Sequence, residues 1–215
     1  MRSNRIKQNT NKLTVCGIMV ALATVLSFIK ITQLPFGGEI TLFSYVPILF
    51  IGYAYGVKWG IAAGIANGII QMAFGISSSI SGAGFKWWQI LLCALLDYII
   101  SYGILGLSGI FKKSIKKSRL SFSLGILVAC FAKYAMHILS GFILFSGWAE
   151  WFFSEGAGTP IGDKILGEFS GQLLALIYST IYNGAFMIPE TISSIVIGII
   201  LISVKPVRRI LFEKA

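Results

Sequence analysis

The feature that most constrains this chain is a set of at least five stretches of about 18 or more mainly apolar residues within 215 positions. Each is long enough to cross a hydrocarbon core of about 30 Å as a helix. Charged residues make up 12% of the sequence and the mean hydropathy is +0.82, whereas a soluble domain carries about 25% charged residues. The fold class is therefore an all-α integral membrane protein.

The pattern predicts six helices in a single transmembrane domain over 1–215, at about 14–31, 42–55, 57–76, 87–111, 120–146 and 172–204. The basic start and the apolar run from Val15 to Phe28 imitate a signal peptide. No small-x-small cleavage site follows, so the run reads as the first membrane helix. Only Tyr55, Gly56, Val57 and Lys58 separate the second and third helices, which predicts a tight hairpin. The sixth helix, at 1.5 Å per residue, reaches roughly 50 Å. Pro189 lies inside it, so a kink or an extension past the bilayer is expected.

Basic residues orient the bundle. Arg2, Arg5, Lys7 and Lys12 precede the first helix, Lys58 sits in the 2/3 turn, and Lys112, Lys113, Lys116, Lys117 and Arg119 fill the 4/5 turn. Lys205, Arg208, Arg209 and Lys214 follow the last helix. Fourteen of the eighteen Lys and Arg residues then share one side, which predicts that side, with both termini, to be cytoplasmic. The net charge of +10 thus reads as topology, and nucleic acid is not an expected partner. The opposite side holds loops at Leu34–Thr41, Gly75–Lys86 and Gly147–Gly171, rich in Gly, Ser and Trp. Trp87, Trp88, Trp148 and Trp151 there fit either an interfacial aromatic belt or stacking on a ligand.

Four ionisable groups fall inside predicted spans: Asp97, Lys133, His137 and Glu190. Such groups are expensive in lipid and face the bundle interior. Counting from the cytoplasmic ends puts Asp97 roughly 21 Å up its helix, and Lys133 and His137 roughly 18 and 24 Å up theirs. Lys133 and His137 are one turn apart and can both reach a carboxylate on a neighbouring helix, so a bridge to Asp97 is the first expectation. Gln172, Asn183 and Glu190 fall within about 20° of each other around the last helix and form one polar stripe. A pocket containing Asp97, Glu190, Lys133 and a neutral His137 would suit a ligand with one positive charge. The same residues could instead form a satisfied network that merely fixes packing.

Several chemistries find no support. Cys16, Cys93 and Cys130 lie in apolar stretches without metal-ligand spacing, so neither disulfides nor a metal site is expected. No phosphate-binding GxxxxGK[ST] loop occurs. His137 is the sole histidine, which leaves a metal enzyme or Ser-His-Asp hydrolase without parts. An intramembrane enzyme using Asp97, His137 and Glu190 as acid and base groups remains an alternative, as does a purely structural membrane subunit.

The blocks LPFGGEITLFSYVPIL, GVKWGIAAGIANGIIQ, LLDYIISYGILGLSGIF, KYAMHILSGFILF and YSTIYNGAFMIPE resemble the thiamine-specific substrate-binding subunits, or S-components, of energy-coupling factor transporters. The resemblance covers nearly all of 14–204. It implies a six-helix subunit without its own ATPase or cofactor. Such a subunit captures a vitamin from outside and reorients with a coupling transmembrane subunit and two cytoplasmic ATPases. It assigns ligand contacts to Asp97, Tyr98, Lys133, His137, Tyr178 and Asn183, with Trp87 or Trp148 as outer-loop stacking candidates. Another vitamin or a thiamine precursor is the alternative ligand, since some relatives carry Glu at the place of Asp97 and Trp at that of Phe145. Gly17 and Ala21 form a small-xxx-small pair that the resemblance assigns to docking on the coupling subunit. Packing inside the bundle is the alternative for that pair.

Overall fold

The computed structural model describes residues 2–207; Arg208, Arg209 and Lys214 of the basic C-terminus lie outside the described residues. Among the described residues, five helices are long and apolar enough to cross a membrane. They are α1 (Arg2–Ser27), α3 (Val57–Ile80), α4 (Trp87–Gly109), α5 (Ser118–Leu144) and α8 (Gly171–Ser203). A sixth, α2 (Val46–Tyr55), is shorter, and every residue from Val46 to Ala54 is buried. A helix apolar on all faces belongs at the centre of a bundle, and α2 is sheathed by α1, α3 and the end of α4.

The hairpin between α2 and α3 turns at Gly56, whose φ of 95° suits a residue without a Cβ. Glycines also set the spacing of α3 and α4. A Cβ on Gly60 would lie 2.5 Å from the Gly52 Cα and 2.7 Å from the Gly106 Cα, and one on Gly68 would lie 2.6 Å from the Tyr98 carbonyl oxygen. These backbones touch because there are no side chains to hold them apart.

Three expectations are corrected. The loop after α1 is a β-hairpin, with β1 (Lys30–Gln33) antiparallel to β2 (Glu39–Thr41). β-branched Ile31, Thr32, Ile40 and Thr41 flank a Pro-Phe-Gly-Gly turn, a strand-turn-strand signal that long apolar runs overshadow. Helix α4 is not regular: Ala94–Ile100 forms a π-helical stretch and Leu105–Gly109 a 3-10 turn. The 5/6 connection holds two short helices, α6 (Ala149–Ser154) and α7 (Gly162–Glu168). Helix α8 continues through Pro189 to Ser203.

At one end of the bundle the Lys12 ammonium lies 5.7 Å from the Tyr55 ring centre and that of Lys112 5.5 Å from that of Tyr53. Lys112 also donates to the Ala54 carbonyl at 2.8 Å. Burial and the neighbouring Lys12 hold its ammonium below the usual lysine range. The hairpin, the end of α3 and the α6–α7 segment occupy the other end.

Candidate functional site

A cavity of about 230 Å3 opens at the hairpin end, walled by α3, α4, α5, α8 and the hairpin. That is somewhat below the range of roughly 300–1,000 Å3 of pockets for drug-sized molecules, so a small ligand suits it. Its geometry begins with the irregularity of α4. The Ser101 hydroxyl donates to the Leu96 carbonyl five residues back, at 2.7 Å. A widened turn of this kind re-aims the side chains it carries and recurs at functional sites. Asp97 and Tyr98 both sit on it and both line the cavity.

Asp97 reaches α5. One carboxylate oxygen is 2.9 Å from His137 Nδ1, and the other accepts from the Ser140 hydroxyl at 2.5 Å and from the Cys93 thiol at 3.3 Å. A carboxylate accepts, so Nδ1 is the donor. His137 Nε2 is buried without a hydrogen-bond partner among the described residues. An imidazole fixed by a carboxylate on one side thus offers its other nitrogen to whatever fills the cavity.

The expected bridge to Asp97 is made by His137 and not by Lys133. Lys133 is buried one turn deeper, its ammonium 3.9 Å from the Tyr102 ring centre and 5.1 Å from that of Tyr45. No carboxylate lies within 4.0 Å of it among the described residues. Two aromatic faces supply part of the negative potential that a carboxylate would have given.

From α8, Tyr178, Tyr182 and Asn183 line the wall. The two tyrosine rings stand 5.8 Å apart. The Asn183 amide donates to the Ser179 carbonyl at 2.8 Å and to the His137 carbonyl at 3.2 Å. That leaves its oxygen for a donor. Tyr98 shares a 2.7 Å hydrogen bond with Ser79 at the end of α3, and Phe145 lines the rim with its ring 5.1 Å from that of Phe85.

Asp97, Tyr98, Lys133, His137, Tyr178 and Asn183 therefore converge on one cavity. Trp87 and Trp148 do not line it. Trp87 starts α4 with 78% of its surface exposed, and Trp148 packs edge-on to Trp151 at 5.9 Å. The polar stripe also divides: Gln172 is exposed, while Glu190 is fully buried below the cavity and is held by Thr41. Glu190 thus joins neither the cavity charge nor an acid–base trio with Asp97 and His137. The carboxylates that do line the cavity, Asp97 and Glu39, are matched by Lys133 and Lys30. Lys30 and Glu39 pair across the hairpin at 2.7 Å.

Reading the sequence missed Lys30, Glu39, Tyr102, Ser140, Tyr182 and Phe186, all lining residues. Ser140 was findable inside the HILSG block, three residues from His137 and on its face. Tyr182 and Phe186 follow Tyr178 at four-residue steps. Nothing in the sequence pointed to the hairpin pair.

A family model described as thiamine transporter protein matches residues 13–155. The chain belongs to that family. It is 27% identical over 214 residues to the thiamine transporter ThiT of Bacillus subtilis, a match covering 94% of this chain and 95% of the relative. A solved structure of ThiT from Listeria monocytogenes superposes with a TM-score of 0.66 at 20% identity, covering 92% of this chain and 96% of that one. Membership in a transporter family removes the enzyme alternative.

Proposed function

We propose that this chain is the thiamine-binding subunit of an ATP-driven energy-coupling factor importer, capturing its ligand from outside and reorienting with its partners. The observation that carries the reading is Asp97, held between His137 and Ser140 in a cavity walled by Tyr98, Tyr102, Tyr178 and Tyr182. A thiazolium cation is stabilised by aromatic faces and a nearby carboxylate. The amino group of an aminopyrimidine donates, and two acceptors face the cavity: the His137 Nε2, unprotonated in the neutral ring because Nδ1 carries the proton toward Asp97, and the Asn183 oxygen. Family membership and the ThiT relatives favour the same ligand.

The cavity lies opposite the end that carries Lys12 and Lys112, so the positive-inside rule supports an outward-facing mouth and cytoplasmic termini. Gly17 and Ala21 are exposed on α1, and a Cβ on Gly17 would meet no atom within 4 Å. That favours a docking face for the coupling subunit over packing within this bundle, with the two ATPases bound beyond it.

The test is titration of thiamine into detergent-purified protein, followed by tryptophan fluorescence. Saturable quenching by thiamine, absent with riboflavin, biotin and pyridoxine, is expected. Asp97→Asn keeps the shape and loses the charge, and should weaken binding about tenfold or more. An unchanged affinity in that variant removes the carboxylate from the recognition scheme.

A further inference from the structure

Of Asp97, Lys133, His137 and Glu190, only Glu190 does not line the cavity. It has no solvent exposure and belongs to the middle of α8. One of its oxygens accepts two hydrogen bonds from a residue 149 positions away, the Thr41 amide at 2.5 Å and the Thr41 hydroxyl at 2.7 Å. Thr41 closes β2 and shares a further 2.6 Å bond with Ser44. Two turns earlier on α8, Tyr182 clasps the hairpin turn, receiving the Gly38 amide at 3.2 Å and donating to the Pro35 carbonyl. Between them, the Phe186 ring would lie 3.0 Å from a Cβ on Gly38.

Tyr182, Phe186 and Glu190 recur every four residues, so they form one face of α8 about 12 Å long. The hairpin lies on it, bound at its turn and at its return strand. Gly37, Gly38 and Glu39, between those two points, are cavity wall. We infer that Glu190 is a positioning residue that seats the hairpin against α8 and thereby sets how fast a captured ligand leaves, which rests on the thiamine-capture reading.

The chemistry of the seat explains the choice of residue. A carboxylate oxygen accepts from an N–H and an O–H at once, and charge-assisted bonds to backbone amides are the strong ones. Glutamine keeps an accepting oxygen in the same place. Its amide would lie one turn from Ser194, whose hydroxyl is buried without a hydrogen-bond partner among the described residues. Methionine fills the same space and accepts neither bond.

Hydrogen exchange on the ligand-free protein reads the seat directly, and thiamine release after dilution reads its consequence. In Glu190→Met, exchange across 30–41 should quicken at least tenfold with the helices unchanged, and thiamine should leave at least tenfold faster at a similar association rate. Glu190→Gln keeps both bonds without the charge and should fall between the parent and Glu190→Met in both. Exchange in 30–41 that is unchanged in Glu190→Met, or equally fast in the Gln and Met variants, overturns the inference. Should Glu190→Met loosen the whole molecule, Thr41→Val becomes the deciding variant: it removes the hydroxyl contact and keeps α8 intact, and an unaltered hairpin there also overturns it. A parent protein that ignores thiamine while Glu190→Met frees the hairpin would refute capture and leave the seat standing.

Discussion

Adding one methyl group to Gly68 tests the claim that bare backbone contact between α3 and α4 shapes the cavity. In Gly68→Ala the new Cβ would start 2.6 Å from the Tyr98 carbonyl oxygen and 3.1 Å from the Tyr102 Cβ. Ordinary contact needs roughly 0.7–1 Å more than that, and the obstructing atom is backbone, so the helices themselves must separate. Overpacking of this kind costs about 1–3 kcal/mol, against about 1 kcal/mol that alanine returns as a better helix former. The net is a loss of roughly 0–2 kcal/mol, and about 1–3 kcal/mol relative to an alanine that meets nothing. The displacement falls on the turn carrying Asp97 and Tyr98, and a shift near 1 Å is enough to weaken a preorganised site about tenfold or more. Gly17→Ala is the matched control, because its Cβ meets nothing within 4 Å. Thermal unfolding in detergent and thiamine titration of both variants settle the matter. Gly68→Ala as stable and as tight-binding as Gly17→Ala would refute the reasoning.

Other consequences follow from the same geometry. Lys133→Met removes a buried cation that has no carboxylate within bridging distance, so the ligand-free protein should unfold at a higher temperature while thiamine binding weakens; a lower melting temperature contradicts this. Ser140→Ala takes one of three donors from Asp97 and should weaken binding severalfold, measured by the same titration, with the fold intact. Gly17→Trp or Ala21→Trp should abolish ATP-driven uptake by the assembled transporter and leave thiamine binding by the isolated subunit unchanged. Loss of binding in the isolated variants would instead place these residues in the bundle's own packing.

The sequence by itself determined the class and the spans, because lipid demands long apolar helices and penalises every charge left inside them. That penalty is why Asp97, Lys133 and His137 stood out, and why their common depth followed from the helix rise alone. Partner choice was another matter. Asp97 selects His137 and Ser140 over Lys133 because a π-helical stretch, set by contacts between helices, rotates its side chain; periodicity assumes a regular helix. Lys133 finds tyrosine faces from two other elements, and no spacing in the chain announces that. Glu190 shared a stripe with Asn183 by angle, yet seven residues along the axis separate cavity from hairpin seat. Trp87 and Trp148 read as aromatic in the right loops, but only the tertiary path of α4 and α6 carried them away from the wall. Local pattern dictates which residues are costly to bury, while the assembled helices decide which neighbour offsets that cost, since such neighbours lie 40 or more residues apart in the chain.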